Sequence, residues 1–120
     1  LEAFLRTCDD PKYTTVVAYE PGGAIFSVGD PGDYMAVVLS GQVDIIRQGK
    51  LLTTMDSGAV FGEMGLIDGA SRSADAIARS HCRIARIREG EFAAMLERTP
   101  HFALSMMRLL TDRLRTSTAT

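Results

Sequence analysis

Between Thr14 and Ile87 the apolar residues come in short runs, each broken by a cluster of Gly, Pro, Asp or Ser. Thr14–Tyr19 is rich in β-branched residues, and Pro21-Gly22-Gly23 turns the chain into Ala24–Val28. Gly29-Asp30-Pro31-Gly32-Asp33 then forms a loop, with both glycines expected at positive φ, before Tyr34–Leu39. Ser40-Gly41 is a hairpin turn into Val43–Arg47, and Gln48-Gly49 the next, into Leu51–Met55. After an interruption the pattern resumes over Ala74–Ala78 and Cys82–Ile87, joined by Arg79-Ser80-His81. Short strands with turn residues at regular spacing favour a closed barrel or jelly roll over an open parallel sheet.

Beyond Arg88 the period lengthens. Phe92, Met95 and Leu96 stand at helical spacing, with Glu89 and Glu91 near the start, where negative charge suits the helix dipole. Thr99-Pro100 restarts a helix, Thr99 as N-cap and Pro100 in the first turn. From there Phe102, Met106, Leu109, Leu110 and Leu114 describe one apolar stripe. Leu1–Leu5 are expected to be part of a short helix, and the Ser/Thr-rich ending Thr116–Thr120 is expected to fray unless something holds it.

Composition narrows the function classes. A chain of 120 residues with 46% hydrophobic and 23% charged content is one globular domain, long enough to bury about two thirds of its unfolded surface. No apolar run approaches the roughly 20 residues of a membrane span, and no signal segment opens the chain, so a cytoplasmic location is expected. Leu1 in place of Met leads us to expect a piece of a longer protein. Thirteen basic against fifteen acidic side chains, a net charge of −2, argue against a direct grip on nucleic acid. Cys8 and Cys82 have no metal-ligand spacing and are expected to be reduced thiols. With only His81 and His101 as imidazoles, no metal and no cofactor is expected, and His81 and His101 read as surface or turn residues.

The candidate chemistry lies in Phe61-Gly62-Glu63-Met64-Gly65-Leu66-Ile67-Asp68-Gly69-Ala70-Ser71-Arg72-Ser73-Ala74. A carboxylate stands at the mouth of a short helical turn, and a guanidinium follows nine residues later. Exposed N–H donors at a helix start and an adjoining turn hold phosphate oxygens. An Arg fork adds paired charge-assisted bonds. An ionised Glu63 accepts only, which suits a sugar hydroxyl. Together they suggest a nucleotide held at its sugar and phosphate. A lone Glu and Arg at this spacing would more often be a structural ion pair, and the flanking Gly62 and Ser73-Ala74 are what favour a ligand.

This run resembles the phosphate-binding cassette of the cyclic-nucleotide-binding domain family, Phe-Gly-Glu-(Leu/Met)-(Ala/Gly)-Leu followed by Arg-(Ser/Thr/Ala)-Ala. Gly32-Asp33-Tyr34-Met35-Ala36-Val37-Val38-Leu39-Ser40-Gly41-Gln42-Val43 is similar to the same family's hairpin. The resemblance spans nearly the whole chain. It implies a mainly β fold: an antiparallel β-roll or jelly roll of about eight short strands, with a short internal cassette helix and flanking N- and C-terminal helices. Residues 1–120 form a single domain on this view, 14–88 the roll and 89–118 the C-terminal helices.

The resemblance further implies a non-catalytic sensor that binds a cyclic mononucleotide, cAMP before cGMP. Arg72 would fork onto the exocyclic phosphate oxygens and Glu63 would accept from the ribose 2′-hydroxyl. The N–H groups of Gly62, Glu63 and Ala74 and the Ser73 hydroxyl would complete the cradle, with Met64 beside them. Ser117 and Thr118 match the two hydroxyl residues that the catabolite-activator branch sets against adenine, though a polar tail accounts for them equally well. Asp75 departs from the family pattern, and alternation after Ala74 turns it outward. Met107, Leu110 and Leu114 could extend into a homodimer seam, and DNA contact would need a downstream domain. Two alternatives remain: a catabolite-activator-type regulator sensing another effector or none, and the sensor module of a channel, transporter or kinase regulatory subunit. A cupin-type enzyme ranks far below them.

Overall fold

The computed structural model describes residues 2–63 and 69–118, with side chains described for 5–63, 69–101 and 103–112. Eight strands are present among the described residues: β1 (Thr15–Tyr19), β2 (Ala24–Phe26), β3 (Tyr34–Ser40), β4 (Val43–Arg47), β5 (Lys50–Met55), β6 (Val60–Phe61), β7 (Asp75–Ala78) and β8 (Cys82–Arg88). They form two antiparallel sheets, ordered β1-β8-β3-β6 and β2-β7-β4-β5. Helices α1 (Glu2–Cys8), α2 (Glu89–Arg98) and α3 (Pro100–Thr118) flank them. The roll expected from the turn spacing is therefore the observed architecture. The expected short internal cassette helix falls in the run from Phe61 to Ala74, of which residues 64–68 lie outside the described residues.

Alternation along the strands sorts the apolar residues into two layers. Tyr34, Ala36 and Val38 of β3 face the space between the sheets with Ile84, Phe26, Phe61 and Ala76. Met35 and Val37, one residue out of step, face the other way, against Cys8, Met95 and Met106 of the three helices. Both faces of β3 are thus buried, which is why Tyr34–Leu39 reads as an unbroken apolar run. Cys8 and Cys82 are free thiols and belong one to each layer, with the sheet between them.

Several boundaries move. The short helix of which Leu1–Leu5 were expected to be part is α1, which reaches Cys8 and closes with Asp9 N–H donating to Leu5 O at 3.0 Å. Gly29 has φ 90°, whereas Gly32 does not adopt positive φ and is buried. β6 went unanticipated because two residues carry no period; only pairing with β3, Ala36 opposite Phe61, makes Val60–Phe61 a strand. At α2, Arg88 N–H donates to Glu91 Oε1 at 3.0 Å, so the acidic first turn closes the helix start. Helix continues through Thr118, with no Gly or Pro after Pro100 to stop it, so 116–118 of the ending expected to fray unless held have helical backbone.

Candidate functional site

β4, β5, β6 and the segment leading into β7 enclose a cavity of about 460 Å³. Phe26, Ile45, Leu52, Met55 and Phe61 supply its apolar wall, and Glu63, Arg72, Ser71, Ser73 and Arg47 its polar groups. That size and mixture suit a small organic ligand fixed by a few polar contacts.

Arg72 is the most constrained of these groups. Only 5% of the residue is exposed, and its guanidinium carbon lies 4.2 Å from the Phe26 ring centre and 4.7 Å from that of Tyr34. Nη1 donates to Gly62 O at 3.0 Å and Nη2 donates to Tyr34 O. Both acceptors are neutral main-chain oxygens, so these bonds position the fork without cancelling its charge. Nε is buried and has no hydrogen-bond partner. Burial pulls the Arg72 pKa below its usual range, opposed by Tyr34 and by the carboxylates of Asp33 and Asp30. A guanidinium stays protonated through such a shift. An anion at this end of the cavity would meet a preformed, partly desolvated cation.

The local chain explains why the side chain sits there. Arg72 N–H donates to Asp30 O and Arg72 O accepts from Gly29 N–H, both at 2.8 Å, which clips the segment to the loop after β2. That loop is closed by Ser27 N–H donating to Asp30 Oδ2 at 2.9 Å. Gly62 has φ 75°, and a Cβ there would lie 2.4 Å from Arg72 Nη1. Glycine is required both by the backbone and by the arginine beside it.

The other expected site residues divide. Glu63 is 8% exposed and lines the same cavity as Gly62, Arg72, Ser73 and Ala74, so the structure brings these together. Met64 lies outside the described residues. Ser117 and Thr118 have helical backbones at the end of α3, and their side chains lie outside the described residues. Asp75 is half-buried, does not line the cavity, and accepts from Val28 N–H at 2.8 Å, so its charge ties β7 to the loop after β2. His81 is exposed, its Nδ1 3.1 Å from Glu20 Oε2. Among the described residues no group of three or more His, Cys, Asp or Glu is placed to hold a metal ion.

Sequence reasoning overlooked Arg47. Its Nε donates to Ser73 O and its Nη2 to Ser73 Oγ, each at 3.2 Å, and it lines the cavity. Val43, Ile45 and Arg47 alternate on one face of β4, so a charge on an otherwise inward face was the available signal. Leu52 could not have been found: a register shift in the β4–β5 pairing skips it, and it lines the cavity.

The sequence model described as the cyclic nucleotide-binding domain matches residues 16–99. The chain is 34% identical over 102 residues, 81% of its length, to the cyclic AMP receptor protein of Thermus thermophilus, and spans 47% of that relative. Among solved structures, the catabolite activator protein of Thermus thermophilus superposes with TM-score 0.79 at 29% identity, covering 98% of this chain and 55% of that one. A structure described under a cyclic-GMP-dependent pathway regulating bacterial phytopathogenesis superposes with TM-score 0.77 at 25% identity, covering 96% and 91%. The chain spans about half the length of the curated relative it matches. No helix among the described residues is long and apolar enough to cross a membrane. With the roll, the cassette segment and the buried Arg72 in place, this chain belongs to the cyclic nucleotide-binding domain family.

Proposed function

We propose that this domain is a non-catalytic sensor that binds a cyclic mononucleotide, cAMP in preference to cGMP, through Arg72 and Glu63. The observation that carries the proposal is the buried Arg72 fork, fixed by main-chain carbonyls and facing a cavity it shares with Glu63. Arg72 takes the exocyclic phosphate oxygens, and Glu63 accepts from the ribose 2′-hydroxyl. Ser73 and the backbone N–H groups of Gly62, Glu63 and Ala74 complete the phosphate cradle, with Met64 beside it. The apolar wall of Phe26, Ile45, Leu52 and Met55 supplies packing for the base. Among the described residues lining the cavity none pairs a nucleophile with an oriented base, which supports binding without transformation of the ligand. The preference for cAMP rests on the relative named for that nucleotide, while a structural neighbour described by a cyclic-GMP pathway is the ground for testing both.

Output runs through the helices by population shift. β3 touches both ends of that link, since Tyr34 O holds Arg72 while Met35 and Val37 pack under the helices. The full protein is a cytoplasmic transcription regulator of the catabolite-activator type on this reading, with DNA contacted by a further domain. The homodimer seam runs along α3 through Met107, Leu110 and Leu114, with Met107 64% exposed beside Leu104 at 46% and the Leu114 side chain outside the described residues.

Calorimetric titration with cAMP and cGMP, beside Arg72→Ala, tests the proposal. The expected result is micromolar binding, about 8 kcal/mol, weakened at least tenfold by the substitution, since a hydrogen bond to a charged group contributes about 1.5–3 kcal/mol. No binding of either nucleotide would leave a family member responding to another effector or none.

A further inference from the structure

Arg72 is one of two guanidinium groups in the cavity, and the other has an arrangement of its own. Arg47 ends β4, opposite Lys50 across the β4–β5 hairpin, so no carboxylate faces it there. Among the described residues it forms no ion pair; its contacts are the carbonyl and hydroxyl oxygens of Ser73. Two of its five N–H groups are used in this way, which leaves three on a side chain that reaches the cavity.

The bond to Ser73 Oγ also decides what that hydroxyl does. A hydroxyl has one proton to donate and two lone pairs to accept with. With Arg47 donating to the oxygen, the hydroxyl is held as an acceptor on that side, and its own proton is left for another acceptor. Ser73 directly follows Arg72 and lines the same cavity. One anionic group beside Ser73 would therefore receive the Ser73 O–H, the Arg72 fork from between Phe26 and Tyr34, and the Arg47 fork from the β4 side.

We propose that Arg47 is a second cation directed at the ligand's phosphodiester, which contacts that group from β4 and sets the Ser73 hydroxyl as a donor to it. This inference rests on the cyclic-nucleotide reading above. It assigns the β4–β5 hairpin a part in phosphate binding, in addition to the packing its apolar residues supply.

Calorimetry of Arg47→Met, Arg47→Lys, Ser73→Ala and the Arg47→Met/Ser73→Ala pair, with cAMP and cGMP at low and high salt, tests it. Arg47→Met should weaken both nucleotides alike, about five- to tenfold, and flatten the fall of affinity with salt. Arg47→Lys should restore the salt dependence while recovering only part of the affinity, because an ammonium lacks the fork. The pair should lose less than the product of the single losses, as coupled groups do. Unliganded melting temperatures report whether each variant is folded. Arg47→Met binding within twofold of the parent with an unchanged salt slope, or a loss confined to one of the two bases, overturns the inference. If the parent binds, and Arg72→Ala abolishes binding while Arg47→Met does not, the inference alone fails; if the parent binds neither nucleotide, both readings fall.

Discussion

Two glycines show how one substitution would act through different physics at different places. Gly41, φ 87°, turns the β3–β4 hairpin, and a Cβ there would lie 2.2 Å from His81 O and 2.6 Å from Cys82 Cβ. The obstacle includes main chain, so it does not swing away. Gly62 has similar torsion, but its Cβ would meet the end of the Arg72 side chain. We therefore expect Gly41→Ala to cost about 1–3 kcal/mol of stability, a fall in melting temperature of roughly 4 °C for each kcal/mol. Gly62→Ala should show its main effect in nucleotide affinity, with loss approaching that of Arg72→Ala. Thermal melts and titrations of the two variants side by side separate these outcomes. Equal melting temperatures with equal affinities would mean that neither close approach matters.

At the scale of elements, the junction of the helices with the outer face of β3 and β8 is held by a few wholly buried side chains. Met95 of α2 has no exposed surface and packs among Met35, Val37, Ala85, Ile87 and Met106. Truncating a buried Met leaves a cavity whose cost runs to about 2–5 kcal/mol. Met95→Ala should thus destabilise the domain by that amount in urea unfolding, whereas Met107→Ala on the exposed face of α3 should change it little. Among the described residues, neither Met95 nor any other side chain of α1, α2 or α3 lines the cavity beside Arg72, so affinity measured on folded Met95→Ala protein should stay close to the parent's. An affinity loss matching the stability loss would show that the helix layer and the cavity act as one unit.

For the whole molecule, a ligand that binds only the folded state raises stability by mass action. Nucleotide at a hundred times its Kd should add about 2.7 kcal/mol, a rise in melting temperature of roughly 10 °C for a domain of this size. Arg72→Ala, which loses the bonds to Gly62 O and Tyr34 O and the packing on Phe26 and Tyr34, should melt below the unliganded parent and show no rise with nucleotide. A shift of the same size in that variant would place the ligand somewhere other than the cavity described.

Much of this was written in the chain order. The period-two runs, the turn residues between them and the change to helical spacing after Arg88 determined the strands and the C-terminal helices, because alternation and glycine placement are local properties. The cassette run from Phe61 to Ala74 likewise put Gly62, Glu63, Arg72, Ser73 and Ala74 forward, since these residues, which line one cavity, lie within one short segment. What local pattern could not carry was contact between distant strands. β6 exists only by pairing with β3, and Arg72 owes its posture to Tyr34 and Phe26, some forty residues upstream. Asp75 faces the loop after β2 and not the cavity for the same reason. Arg47 reaches Ser73 because sheet order sets β4 beside β7, and the skipped register at Leu52 opens toward the same cavity. Local sequence determined which polar and charged residues were available for a site; only packing of the two sheets decided which side chains converge on the cavity, since that depends on register and burial across the roll.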